Sequence, residues 1–280
     1  MSQQGILYLV GTPIGNLEDM TFRAVRILKN VDLIAAEDTR HTGKLLQHFQ
    51  ITTPAISYHQ HNRFERETDL LLELKQGKNI ALVTDAGMPS ISDPGYDLVK
   101  ACHEHQILVI PIPGVTAAIT ALAVSGLSTE RFCFEGFLPT KAKERDRRLE
   151  TLKLEHRTLI FYEAPHRIIE TLEDFNEYFG ENRLIVLARE LTKLYEEIWR
   201  GMIKEAIVHY SSEQPKGEYT LVVSGASLTE TPELSEAQLK QELQKLMNQG
   251  MTRSQASRHL AETSHLSRRQ IYQLALEIEE

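Results

Sequence analysis

The stretch "IALVTDAGMPSISDPG", residues 80–95, opens with four apolar residues and continues into twelve that hold two aspartates, two glycines, two prolines and two serines. An apolar run of that length without alternation is the pattern of a strand buried on both faces, as in a parallel sheet. Pro89 and Pro94 fix φ and donate no hydrogen bond, while Gly87 and Gly95 permit backbone conformations and close approaches that other residues resist. A loop with this much of its shape preset loses less entropy when it orders around a ligand. Asp85 and Asp93 offer acceptors for hydroxyl or ammonium groups. The structural alternative is a turn whose Asp93 caps the following helix.

The same rhythm extends outward. Apolar runs at 6–10, 31–36 and 107–112 flank this strand and alternate with amphipathic stretches at 21–29, 65–76 and 96–105, which predicts a parallel sheet covered by helices. Pro113-Gly114 then punctuates, and 115–124 is a helix of small residues. Runs at 132–137, 158–162, 184–188 and 219–223 mark a second α/β unit, in which 196–202 alternates as an antiparallel strand. A polar linker, "ASLTETPELSEAQ" at 226–238, leads to a helix at 237–247 and two short helices around a turn at 263–266, similar to a helix-turn-helix. The expected organisation is α/β: an N-terminal domain at 1–120, a second α/β domain at 121–227 and a small helical domain at 228–280.

Composition bounds the function. The chain has 280 residues, is 41% hydrophobic and carries a formal net charge of -8, so it is neither disordered nor uniformly basic, and nucleic-acid contact must come from local patches. Its two cysteines, Cys102 and Cys133, lie far apart, which fits a reducing cytoplasm rather than a disulfide scaffold. No run approaches the ~20 apolar residues of a membrane span. The pairs His59/His61 and His103/His105 lack a matching third ligand, so no metal is expected.

Several other strand ends carry chemistry. "LVGTPIGNLED" at 9–19 is a glycine-bearing loop, but its G-x-x-x-G spacing is not the dinucleotide fingerprint. "AAEDTRHT" at 35–42 crowds Glu37, Asp38, Arg40 and His41, either to meet ribose hydroxyls or to cap a helix. "FYEAPHR" at 161–167 and "ARELTKLYEE" at 188–197 place Glu163, His166, Arg167, Arg189 and Lys193 just past strands. The segment 253–269 carries Arg253, Arg258, Arg268 and Arg269 against Glu262 alone, a basic patch that reads as RNA contact or as a solvated hairpin.

Taken in order, "VGTPIGNLEDMT", "AAEDTRHTGKLL", "TDAGMPSISDPG", "PGVTAAITALAVSG", "FYEAPHRI", "ARELTKLYEE" and "GEYTLVVSG" resemble the tetrapyrrole (corrin/porphyrin) methylase superfamily, and within it the ribosomal RNA branch. The resemblance covers roughly residues 5–225 and implies two α/β domains, S-adenosylmethionine in the cleft between them, and a homodimer. It implies cofactor contacts from Pro13, Asp85, Ala86, Gly87, Ser90, Ile91, Asp93, Val115, Thr116, Ala117, Tyr162, Ala188 and Thr220. It further implies methyl transfer to the ribose 2′-hydroxyl of a cytidine in 16S rRNA of the small ribosomal subunit, near the decoding centre. Residue chemistry at the strand ends then nominates Glu163, His166 and Arg189 for catalysis, and Arg40, His41, Arg167, Lys193 and the four C-terminal arginines for RNA. The alternatives are a methylase of a porphyrin or corrin precursor and a non-catalytic RNA-binding protein.

Overall fold

The computed structural model describes residues 4–212, 215–227, 236–263 and 266–278. Its first sheet contains β1 (Ile6–Val10), β2 (Leu33–Ala36), β3 (Ala55–Ser57), β4 (Ile80–Val83) and β5 (Leu108–Ile112), ordered β3-β2-β4-β1-β5 with every pairing parallel. The strand that opens the 80–95 stretch is the central one and is buried along its whole length. Pro111 sits in β5, an edge strand, where a missing N–H costs no ladder bond. Helices α1 (Phe22–Asn30) and α2 (Thr39–His48) cover one face, setting Ala24, Leu28 and Leu46 on Val10, Ile34 and Val83. Helices α3 (Arg63–Lys75) and α4 (Tyr96–Glu104) cover the other, setting Leu70, Leu74, Leu98 and Cys102 on Leu7, Ala35 and Leu82.

The second sheet contains β6 (Phe132–Phe137), β7 (Thr158–Glu163), β8 (Leu184–Arg189), β9 (Glu197–Met202) and β10 (Tyr219–Val223), ordered β6-β7-β10-β8-β9. It is mixed: β6 and β7 run parallel and the other pairings are antiparallel, including the alternating β9. Leu159, Phe161, Leu187 and Leu221 face the layer of α6 (Ala142–Leu152), α7 (Ile168–Phe179) and α8 (Ile203–Ser212). Ile160, Val186, Ala188 and Val222 face the opposite way, onto Ala118, Ala121 and Leu122 of α5 (Ala117–Ser125). The expected boundary between 120 and 121 falls inside this helix, which packs on the second sheet.

Three C-terminal helices, α9 (Glu236–Asn248), α10 (Arg253–Thr263) and α11 (Arg268–Leu276), share a core of Leu243, Ala256, Leu260, Ile271 and Ala275. Ser267 and Gln270 form a reciprocal cap at the start of α11. Residues 264–265 of the expected turn, and 228–235 of the linker, lie outside the described residues. Among the described residues, no helix is long and apolar enough to cross a membrane.

Candidate active site

Three loops meet at the carboxyl ends of the first sheet's strands, where open α/β sheets bind ligands. The loop after β1 and the 84–95 loop are stitched together: Thr12 N–H donates to the Gly87 carbonyl at 2.9 Å, and Gly87 N–H returns a bond to Thr12 at 3.1 Å. The Thr12 hydroxyl also donates to the Thr84 carbonyl at 3.1 Å. Gly11 and Gly114 explain themselves here. A Cβ on Gly11 would lie 2.8 Å from the Gly114 Cα and 2.7 Å from Met88 Sδ, so the third loop approaches only because both residues lack side chains. Ser90 at φ 73 and Ser92 at φ 63 hold left-handed backbone. Each such residue costs roughly 1–3 kcal/mol and persists where surrounding structure enforces it, often beside ligands.

The second sheet supplies the facing wall. Thr220 lies opposite Tyr162 on one side and Ala188 on the other, so the three form one row across β7, β10 and β8. The Tyr162 hydroxyl accepts the Ala118 N–H of α5 at 3.3 Å, and its ring packs edge-on to Phe134 at 5.0 Å. Between the walls is a cleft of about 470 Å³. Of the expected cofactor residues, it is lined by Ala86, Gly87, Ile91, Asp93, Thr116, Ala117, Tyr162, Ala188 and Thr220. Ile14, Met88, Ser92, Phe137, Leu191 and Glu218 also line it and were not foreseen. Apolar chains such as Ile14 and Met88 carried no chemical signal; adjacency to Pro13 and Gly87 was the available clue.

Four expected cofactor residues stand outside the lining. Pro13 is buried, and its neighbour Ile14 reaches the cleft instead. Asp85 ties strand ends together: its carboxylate accepts Asp38 N–H at 3.2 Å, while its own N–H donates to Glu37 at 3.4 Å. Ser90 Oγ is buried with no hydrogen-bond partner among the described residues, packed where a Cβ on Gly95 would fall. Val115 precedes the lining residues Thr116 and Ala117. The polar centre of the cleft is therefore Asp93. Burial, with the nearby Glu37 and Asp85 charges adding, pushes its carboxyl up to about 7. Glu37 is raised too, chiefly by burial.

Of the residues nominated for catalysis, Glu163 is in the cleft lining, whereas His166 and Arg189 stand outside it. Side chains alternate along a strand, so in β7 Glu163 shares the side of Leu159 and Phe161, opposite Tyr162. Its carboxylate is buried, accepting Ala164 N–H at 2.9 Å and the Thr171 hydroxyl at 2.7 Å, with Arg167 Nε at 3.6 Å. Arg189 has the same parity in β8 and donates to the Lys216 carbonyl at 2.8 Å and to Glu197 at 3.3 Å. His166 is exposed in the short turn Pro165–Arg167 and lies outside the lining, although Pro165 lines the cleft.

Several nominated RNA contacts are committed elsewhere. Both terminal nitrogens of Arg167 donate to the Leu138 carbonyl at 3.2 Å, so this half-buried guanidinium holds the strand end after β6. Lys193 stands at the cleft, with its ammonium between Glu190 at 2.8 Å and Glu218 at 3.0 Å, and its stem fills the space above Gly15. Within "YEAPHR" and "ARELTK", Arg167, Arg189 and Lys193 thus each have a carboxylate partner inside the chain. Arg40 is 90% exposed but paired with Asp38, whose carboxyl it holds well below the usual range. His41, Arg258 and Arg269 are exposed, Arg268 bonds Ser254 at 2.8 Å, and Arg253 reaches the Ile278 carbonyl at 3.2 Å.

This pair of sheets with a cleft between them has known counterparts. A family model described as Tetrapyrrole (Corrin/Porphyrin) Methylases matches residues 6–207. A crystal structure of uroporphyrin-III-C-methyltransferase from Thermus thermophilus covers 80% of this chain and 96% of its own, at TM-score 0.57 and 22% identity. The methyltransferase CobJ covers 80% and 95%, at TM-score 0.61 and 18% identity. These solved structures establish the fold, and the class is a two-sheet methylase. Among curated proteins, one from Synechocystis sp. named Ribosomal RNA small subunit methyltransferase I is 60% identical over 98% of this chain and 99% of its own. A Bacillus subtilis protein of the same name is 47% identical over 97% and 94%, and one from Escherichia coli O157:H7 is 53% identical over 80% and 79%. The chain belongs to the tetrapyrrole methylases and, within them, to the ribosomal RNA small subunit methyltransferase I family.

Proposed function

We propose that this chain transfers a methyl group from S-adenosylmethionine to the ribose 2′-hydroxyl of a cytidine in 16S rRNA of the small ribosomal subunit, near the decoding centre, as a cytoplasmic homodimer. The carrying observation is the near-full-length relationship to proteins named for ribosomal RNA small-subunit methylation. The cleft fits the cofactor. Its volume, about 470 Å³, falls within the ~300–1,000 Å³ of small-molecule sites. Its wall offers flat apolar surface from Ile14, Met88, Phe137 and Leu191 together with the Asp93 carboxylate, a lining suited to a purine and to a ligand bearing positive charge.

When bound, S-adenosylmethionine supplies an electrophilic methyl group on a sulfonium. The chain's own task is to hold the two reactants in line and to keep water out. Ala86, Gly87, Ile91, Thr116 and Ala117 wall one side, and the Tyr162–Thr220–Ala188 row closes the other. Positioning of this kind removes ~7–11 kcal/mol of barrier in well-oriented systems. Asp93, once ionised, sets a negative charge inside this apolar enclosure. Glu163, also in the lining, accepts the Ala164 N–H and fixes the turn that carries Ala164 and Pro165 to the cleft.

The test is incubation of the full chain with labelled S-adenosylmethionine and undermethylated small ribosomal subunits, followed by nuclease digestion and nucleoside mass spectrometry. The proposal expects label in 2′-O-methylcytidine. Label on a base, on a porphyrin or corrin precursor alone, or on nothing refutes it.

A further inference from the structure

Helices α1 and α2 lie side by side on one face of the first sheet, and neither contains an aspartate or glutamate. The helices on the opposite face hold four carboxylates in α3 and two in α4. On a chain of net charge -8, that makes one face of this sheet locally cationic. In α1, the positions Phe22, Val25, Arg26 and Lys29 follow the i, i+3, i+4, i+7 spacing that lines one helix face. They line a shallow groove together with His48 and Phe49 at the end of α2. Arg26 and Lys29 are exposed and form no ion pair with any described residue, unlike Arg40. Phe22 is 97% exposed, a large aromatic left in water beside those cations. The His48 ring packs edge-on to Phe49 with centroids 4.8 Å apart, so a second aromatic surface borders the groove.

Cations that track a backbone, alternating with aromatic faces on which bases stack, are the elements of single-stranded nucleic-acid binding. We propose that this α1–α2 groove is an accessory docking surface for unpaired rRNA, with Arg26 and Lys29 meeting phosphates and Phe22 stacking on a base. The inference rests on the rRNA reading above and places a contact outside the cleft. Helix α1 starts after the loop that carries Ile14 to the cleft and runs back toward the amino end of β2, as α2 does toward β3, so the groove leads from Phe22 away from the reaction site.

The test uses the full chain and in-vitro-transcribed 16S rRNA, with affinity measured across a salt series. Arg26→Gln/Lys29→Gln should flatten the slope of log affinity against log salt by about 1.4, since each phosphate contact on single strands contributes ~0.7. Phe22→Ala should weaken binding about fivefold to a hundredfold. The charge-keeping pair Arg26→Lys/Lys29→Arg should retain the wild-type slope, and S-adenosylmethionine affinity should hold in all three variants. An unchanged slope in the glutamine pair, with wild type binding RNA normally, overturns the groove while leaving the methylation reading intact. Variants that alter sedimentation but not RNA affinity overturn it in favour of a protein interface. Wild-type protein with no affinity for this RNA overturns the groove and leaves the methylation reading to its own assay on subunits, whereas wild type that binds RNA but transfers no methyl group to subunits, with variants behaving as expected, supports the groove and sinks only the catalytic reading.

Discussion

Glu163 separates two accounts of this cleft. Position at a strand end nominated it as a base; the structure places it in the cleft lining but commits its carboxylate to the Ala164 N–H, the Thr171 hydroxyl and Arg167. Replacing it with alanine removes the acceptor of the Ala164 N–H at 2.9 Å and of the Thr171 hydroxyl at 2.7 Å, and leaves Arg167 without its nearest carboxylate. Hydrogen bonds to a charged group contribute ~1.5–3 kcal/mol each, so two give ~3–6 kcal/mol. Breaking a buried pair by removing one partner independently gives ~3–5 kcal/mol. The conservative Glu163→Gln keeps a carbonyl for one donor and forfeits the charge, at about 1–3 kcal/mol. Urea denaturation of the two variants should return those losses in that order. Methyl transfer by Glu163→Gln, assayed where the variant is fully folded, should stay within about threefold of wild type with an unshifted pH profile. A placed base is worth ~10²–10⁴-fold. A loss of that size at unaltered stability would refute the positioning role and restore Glu163 as the base.

Asp93 gives a pH signature. Its carboxyl is raised by burial to about 7, against an unfolded value of ~3.9, so between these values the folded chain binds more protons than the unfolded one. Stability from this group therefore falls as pH rises through that window. Asp93→Asn should remove this pH dependence in urea titrations at pH 5 and 8. The same ionisation should strengthen S-adenosylmethionine binding as pH passes 7, and calorimetry showing an identical pH trend in Asp93→Asn would contradict the assignment. Gly11→Ala forces a methyl group against Gly114 Cα at 2.8 Å and should cost ~1–3 kcal/mol by overpacking, read as a lower urea midpoint with reduced cofactor affinity. Arg167→Met should lower stability, because its carbonyl partners at Leu138 and Pro139 lose their donor, yet leave the salt slope of rRNA binding where it was. A flattened slope would return Arg167 to the RNA surface.

The parallel sheet was legible because buried strands such as β4 are apolar without interruption, and the 84–95 loop was legible because few structures need that density of glycine and proline. Nine of the thirteen expected cofactor contacts, from that loop and from both sheets, line the cleft. Strand β3 escaped notice since Ala55–Ser57 is too short for any periodicity. Helix α6 escaped because "AKERDRRLETL" is mostly charged, and one of its inward positions is Arg145, buried against Asp174 at 2.8 Å rather than apolar. The catalytic nominations were harder to place for a different reason. Proximity to a strand end says which end of the sheet a residue occupies, but parity decides its face. Tyr162 and Glu163 are adjacent in sequence and lie on opposite sides of the sheet. Counting in twos from the buried run 158–161 does not reveal which side bears the cleft, because both sides are covered by helices.

The central claim is that one cleft, walled by the pre-shaped loop of the first sheet and the Tyr162–Thr220–Ala188 row of the second, holds the methyl donor. Co-crystallisation with S-adenosylhomocysteine tests it most directly. The account predicts the ligand between Met88 and Asp93 on one side and that row on the other, with the Asp93 carboxylate within hydrogen-bond reach of it. Ligand density elsewhere, or in the cleft but confined to one sheet with Asp93 turned away, would contradict it.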